Sequence, residues 1–333
     1  MKIELKCCNM IRETGGVAVS KSRLKGICLV VFSAALWGIS APVVQFLFKD
    51  HHVSPEWLVV VRLLISGFIL LGLALLSEKE KVWAIWKDRK DAVSLVLFSL
   101  LGMLATQYTF FLSIHYGNAA TTTVLQYTAP VMITCYLAFT LRRIPKGKEI
   151  IAVVLAVFGT FMLTTRGSFT SLSISGLAVF WGLCSAVALA FYTLQPIKLL
   201  SKWGSPVVVG WGMFIAGFAF SFIHPPWNIE HTWNLANFSG LFFIIIFGTL
   251  IPFYYYLDSL HYLKASETSL IATLEPLTAV LVSIFWLGLE FGFAEWIGTL
   301  CIISTLAILS LSKEEELKSK NGQESAESTA ISN

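Results

Sequence analysis

Ten long apolar stretches alternate with short polar ones along this chain: 26–48, 56–76, 92–112, 119–141, 149–165, 175–197, 206–223, 238–257, 268–286 and 294–311. Each is close to the roughly 20 residues that a helix rising 1.5 Å per residue needs to cross about 30 Å of hydrocarbon. Within each run the apolar residues are continuous and do not alternate with a period of two, so the pattern predicts helices and not barrel strands. The expectation is an all-α polytopic membrane protein with ten transmembrane helices.

Basic residues give these runs a direction. Taking alternate connections from the N-terminus, 21 Lys and Arg fall on one side and only Lys49 and Arg166 on the other, with Arg62 inside a run. The positive-inside bias therefore predicts both termini in the cytoplasm, as an even number of spans requires, in a plasma or inner membrane. Trp57, Trp83, Trp86, Trp227, Trp233 and Trp296 lie at predicted span ends, where amphipathic rings favour the interface.

Composition removes other classes. The 333 residues are 56% hydrophobic and 13% charged, against about 45–50% and about 25% in soluble domains, which excludes a soluble enzyme and a disordered chain. A net charge of +4 over this length makes no basic face for nucleic acid. Cys28, Cys135, Cys184 and Cys301 sit inside apolar runs, and Cys7 with Cys8 has no metal-ligand spacing, so neither a metal nor a cofactor is expected. Residues 1–25 lack the apolar core of a signal peptide and form a cytoplasmic tail. Residues 312–333, rich in Ser, Glu and Lys, form a second, disordered one.

The sequence also repeats itself at an offset of 146. Gly102/Gly248, Tyr108/Tyr254, His115/His261, Tyr116/Tyr262, Pro130/Pro276 and Glu149/Glu295 are identical in this register. The predicted organisation is a five-helix unit at 26–165, a linker at 166–174 and a second unit at 175–311. Five spans per unit is odd, so the units enter the membrane in opposite senses. Two such inverted repeats are the architecture of alternating-access transporters, with the site near the midplane between them.

Several motifs give these units a family likeness. Leu36-Trp37-Gly38, Arg62, Ala119-Ala120-Thr121-Thr122 leading to Pro130, and Leu274-Glu275-Pro276 followed by Gly288-Leu289-Glu290 together resemble the EamA-like branch of the drug/metabolite transporter superfamily. The resemblance covers nearly all of 26–311, in two copies. It implies ten helices and export or facilitation of amino acids, small metabolites or drugs. One departure is that Glu290 falls opposite Ile144 in the repeat register.

Ionisable residues inside spans are costly and are the first site candidates. Glu275 lies within the ninth run, followed by Pro276, which must disturb the local hydrogen-bond ladder; its carboxyl could bind and release a proton. Pro130 holds the equivalent place in the fourth run, with Gln126 and Tyr127 just before it. Gln107, Tyr108, Tyr192, Gln195 and Tyr254 offer further polar lining, and Trp37-Gly38 with Pro42 one turn later marks an irregular, central helix. Any of these can equally be glue between helices. Arg62, about six residues from the outer end of its run, reads as a snorkelling or gating residue. No catalytic constellation is present: there is no HExxH, GxSxG or nucleotide-binding loop. The reading is a non-enzymatic secondary transporter that exports a small polar metabolite, an amino acid or related compound, with proton coupling permitted by Glu275. A channel or membrane scaffold is the alternative. Lipid is the expected environment, and oligomeric state is not encoded in the pattern.

Overall fold

The computed structural model describes residues 21–140, 147–166, 168, 174–229, 234–259, 262–263, 268, 271–272, 274–305 and 307–308, and among these no strand occurs. The helices are α1 (Lys21–Lys49), α2 (Pro55–Ala84), α3 (Arg89–Tyr116), α4 (Ala119–Gln126), α5 (Ala129–Thr140), α6 (Gly147–Thr165), α7 (Gly176–Leu194), α8 (Ile197–Trp203), α9 (Ser205–Ser221), α10 (Leu235–Ile245, continuing through Ile246–Leu250 to Ile251–Ser259), α11 (Leu274–Leu287) and α12 (Phe293–Thr305). Helix lies over each of the ten apolar runs. Five helices are long and apolar enough to cross a membrane, namely α1, α2, α3, α7 and α10, and shorter apolar helices accompany them. The helix α1 begins at Lys21, inside the predicted tail. Most of both tails and of the linker lies outside the described residues, as does His261.

Local chemistry sets the helix starts. Ser54, Asp88, Asn118, Ser175 and Asn234 each place a side-chain oxygen on a backbone N–H of the helix that follows, which satisfies a donor that the helix itself leaves open. Prolines set the interruptions in the fourth and ninth runs, because a proline cannot bond the carbonyl four residues earlier, whereas α1 runs unbroken through Pro42, where an irregular helix was expected. The fourth apolar run breaks at Tyr127–Thr128, between α4 and α5, just ahead of Pro130. In the ninth run, Ala272 is in a turn and α11 starts two residues before Pro276. Both α3 and α10 contain a wider π turn, at Phe98–Leu104 and Ile246–Leu250. The second of these runs into Pro252.

Glycines let the helices touch. A Cβ on Gly67 of α2 would fall 2.5 Å from the Phe214 nitrogen of α9. One on Gly159 of α6 would fall 2.8 Å from the Gly298 carbonyl of α12, and one on Gly38 of α1 would fall 2.6 Å from the Glu275 carbonyl of α11. Such contacts replace the hydrophobic drive that helices lack in lipid. The main buried cluster, including Leu58, Leu63, Phe98, Phe111 and Met213, lies where α1, α2, α3 and α9 meet. Of the tryptophans predicted at the interface, Trp57 is instead turned inward, donating from Nε1 to the Pro226 carbonyl at 2.9 Å.

Candidate functional site

The two interrupted runs meet through one side chain. Pro276 cannot donate to the Ala272 carbonyl, which takes the Glu275 backbone N–H at 3.0 Å instead, and the Tyr127 hydroxyl lies 3.0 Å from the same oxygen. The same hydroxyl lies 2.9 Å from Glu275 Oε2. Tyr127 thus joins the break in the fourth run to the break in the ninth. A tyrosine has one hydrogen to donate. Both contacts are hydrogen bonds at once when a protonated Glu275 donates to the hydroxyl, which then donates to Ala272. When Glu275 is ionised, Tyr127 donates to the carboxylate and the Ala272 carbonyl competes for the same hydrogen. Proton occupancy at Glu275 is therefore tied by geometry to the backbone at the helix break.

Arg62 of α2 reaches the same region from another side. Its Nε donates to Thr249 Oγ1 at 2.6 Å, inside the π turn of α10, and Thr249 in turn donates to the Ile244 carbonyl at 2.9 Å. Pro252 cannot donate to the Gly248 carbonyl, and Arg62 Nη2 approaches it at 3.5 Å. The guanidinium also lies 5.3 Å from the centre of the Phe111 ring. Arg62 is only 6% exposed. It points into the protein, not toward a headgroup layer, which corrects the snorkelling expectation: Thr249 and the Gly248 carbonyl offer partners closer than any surface. Arg62 and Glu275 lie within reach of each other's charge without direct contact.

Aromatic rings close the group. Trp37 packs against Phe253 at 5.1 Å and Tyr256 at 5.4 Å between centroids. Tyr127 and Tyr192 each lie within electrostatic reach of Tyr256. Trp37, Tyr127, Tyr192, Tyr256 and Glu275 all retain partial exposure. Gly38, next to Trp37, brings α1 against the Glu275 backbone, and Pro276 is buried there.

Of the residues singled out in the sequence, Trp37, Arg62, Tyr127, Tyr192, Glu275 and Pro276 are brought together. Others serve elsewhere. Gln126 donates to Ser185 of α7 at 2.6 Å, and Gln195 donates to the carbonyl and hydroxyl of Ser94 at 2.9 Å, so both tie helices together. The Tyr108 hydroxyl donates to Glu56 at 3.0 Å, near the start of α2. Tyr254 is 54% exposed and packs only on Tyr255 among the aromatic contacts of the described residues. Gln107 is half-buried, and Pro130 lies in α5, its side chain outside the described set. Thr249, Phe253 and Tyr256 were missed. The signal for Thr249 was available: Pro252 four residues after Gly248 marks a carbonyl it cannot donate to inside an apolar run.

The model of the EamA-like transporter family matches residues 24–165 and again residues 176–311. An uncharacterized inner membrane transporter of Salmonella typhimurium, YicL, is 36% identical over 290 residues, covering 87% of this chain and 96% of that protein. An uncharacterized transporter of Bacillus subtilis, YetK, is 24% identical over 314 residues, covering 92% of each. A crystal structure 14% identical in sequence shares the fold, with a TM-score of 0.61 over 87% of this chain and 98% of that one.

Proposed function

This chain belongs to the EamA-like transporter family and is a multi-pass membrane protein, and from that premise we propose that it is a secondary transporter exporting a small polar metabolite, an amino acid or related compound, by alternating access. The observation that carries the proposal is the bond from Tyr127 to Glu275 and Ala272, which joins two interrupted helices at equivalent places in the two halves. Interrupted helices that meet at a polar site between repeats are what alternating access uses.

Three further observations favour ten helices in two inverted units at 26–165 and 175–311. The family model matches twice. The π turns of α3 and α10 overlap when shifted by 146 residues. Contacts also come in exchanged pairs: α1 packs on α11 and α10, while α7 packs on α4 and α3, and α2 packs on α9. A two-fold relation between halves produces such swaps. With the basic residues on one side, both termini are cytoplasmic. The single hydrogen of Tyr127 favours proton coupling, since proton loss at Glu275 draws that hydrogen to the carboxylate and leaves the Ala272 carbonyl to the Glu275 backbone N–H alone.

The test is counterflow. Purified protein in liposomes is loaded with a pool of amino acids and small metabolites, and exchange is read by mass spectrometry from each side. Exchange that persists when the gradient is reversed, saturates and shows trans-stimulation is expected. Linear, non-saturating flux would refute alternating access and favour a channel. No flux would refute transport.

A further inference from the structure

We propose that the turn joining α2 to α3, together with α8 and the start of α9, binds an anionic phospholipid. Its phosphate docks on Lys87, Arg89, Lys90 and Lys198, and its glycerol and upper acyl chains lie on Trp83 and Trp86. This site is independent of the transport reading and requires only that the chain lies in a bilayer.

Helix length sets the depth of the site. The 30 residues of α2 span about 45 Å at 1.5 Å per residue, against about 30 Å of hydrocarbon. The apolar, membrane-crossing part of α2 ends at Ser77. Its last turns and the tight turn at Ile85–Lys87 therefore stand among headgroups. Residues 77–91 and α8 hold seven Lys and Arg against four Asp and Glu, an excess of positive charge at that level.

The acids nearest the turn are already engaged. Asp88 accepts the Lys90 backbone N–H at 2.9 Å and the Lys202 ammonium at 3.3 Å. Asp91 accepts from Lys202 at 2.6 Å and from Trp203 Nε1 at 2.9 Å. With the bonds from Gln195 to Ser94, these hold α8 beside the start of α3. Lys198 lies one turn before Lys202 and so on the same face of α8. Lys87, Arg89, Lys90 and Lys198 are exposed, and their side chains make no hydrogen bond or ion pair among the described residues. Glu80 lies two turns back on α2. Four unanswered cations beside a span attract the phosphate of an anionic lipid.

Aromatic rings decide between anions. Trp83 is 57% and Trp86 38% exposed, yet neither ring is loose. Both pack edge-on against Trp211 of α9, at 5.6 and 5.2 Å between centroids, and Trp211 Nε1 donates to the Val82 carbonyl at 2.9 Å. From Trp211 the rings of Phe214, Phe218 and Phe222 follow one another along α9 at 6.1, 6.4 and 5.2 Å, the last two exposed. A free phosphate uses the cations and leaves the rings uncovered. A zwitterionic headgroup brings its own ammonium among four cations. An anionic phospholipid satisfies both parts, with charge at the lysines and apolar chains along the rings, since Trp favours the boundary between the two. Trp211 lies far along the chain from Trp83 and Trp86, so the bound lipid clasps distant segments and stabilises the fold.

The test places the full-length protein in phosphatidylcholine liposomes with a minor fraction of one lipid carrying brominated acyl chains, which quench tryptophan fluorescence on contact. At equal mole fraction, brominated phosphatidylglycerol is expected to quench more than brominated phosphatidylcholine, occupying the site about tenfold more strongly. Combining Lys87→Gln, Arg89→Gln and Lys90→Gln removes that preference. Trp83→Phe with Trp86→Phe removes the excess quenching, and decides the matter if the first variant does not fold. Lys49→Gln, at the far end of α1, keeps it. In detergent, phosphatidylglycerol raises the melting midpoint and inorganic phosphate at the same concentration does not. Equal quenching by the two lipids, excess quenching that survives either set of substitutions, or its loss in Lys49→Gln overturns the proposal. Equal stabilisation by inorganic phosphate overturns it too, in favour of a free anion.

Discussion

Replacing Gly38 by Ala adds one methyl group at the crossing of α1 and α11, and the structure says where it lands. The new carbon would sit 2.6 Å from the Glu275 carbonyl oxygen, 2.6 Å from Thr278 Cβ and 3.1 Å from the Ala279 nitrogen. Two of those neighbours are backbone and cannot rotate away, so the helices must separate by most of an ångström. Overpacking of this kind costs about 1–3 kcal/mol. It is set against the helix preference of Ala over Gly, about 0.5–1 kcal/mol in favour of the variant. Gly72 of α2 provides the control, because a Cβ there meets nothing within 4 Å. Gly72→Ala gains the helix preference alone. The difference between the variants cancels that common gain and isolates the contact, at about 1–3 kcal/mol. Thermal unfolding of the two proteins in the same detergent, followed with counterflow rates, measures it. Gly38→Ala is expected to melt below wild type or level with it and to exchange solute slowly, since the displaced backbone carries Glu275. Gly72→Ala melts at or above wild type and exchanges normally. Equal melting points and equal rates for the two variants would refute the close approach of α1 and α11.

Three other outcomes follow from the geometry. Glu275→Gln keeps a partner for Tyr127 but cannot release a proton, so exchange should persist while its response to a pH gradient disappears; an unchanged response would remove Glu275 from proton coupling. Tyr127→Phe deletes the hydroxyl shared by Glu275 and Ala272, which at about 1–3 kcal/mol for the polar groups left unmatched should reduce solute affinity about tenfold while the protein still folds; binding titrations at wild-type strength would contradict it. Lys202 bonds Asp91 at 2.6 Å and Asp88 at 3.3 Å. The Lys90 backbone N–H, then Lys202, hold the Asp88 carboxyl below the usual range, and Asp91, then Asp88, raises the Lys202 ammonium. The Asp88 contribution is present above the ordinary carboxylate value and lost as pH falls through the lowered one. The Lys202 contribution is present below the ordinary ammonium value and lost as pH rises through the raised one. The small melting difference between wild type and Lys202→Met should therefore be flat from about pH 5 to about pH 9, shrink beyond either end and fade in high salt; a difference that ignores salt would show that packing and not charge is lost.

How much of the site was legible depended on what each residue does to the backbone. Pro276 and Pro130 stood out because a missing N–H is a property of the residue itself, wherever the helix packs. Glu275 stood out because a carboxyl in hydrocarbon demands a partner. Gln126, Gln195 and Tyr108 stood out equally, yet they bind Ser185, Ser94 and Glu56. A polar side chain in an apolar run needs a hydrogen bond, and the need looks the same whether a neighbouring helix or a solute meets it. The stem of Arg62 is long enough to reach the interface, so its sequence position points outward. Thr249, on a distant helix, drew it inward.

The sequence alone determined where helices form and, at Pro130 and Pro276 though not at Pro42, where they break, since run length, capping residues and prolines act through local backbone physics. It also determined the duplication and the bias of basic residues. The tertiary structure alone decided which polar groups meet. Tyr254 and Tyr256 are two residues apart in the same helix, yet one is exposed and the other packs on Trp37. In a soluble helix a polar face would have told them apart. In a helix apolar on every side, lipid-facing and protein-facing positions have the same composition, and only packing against neighbours assigns them.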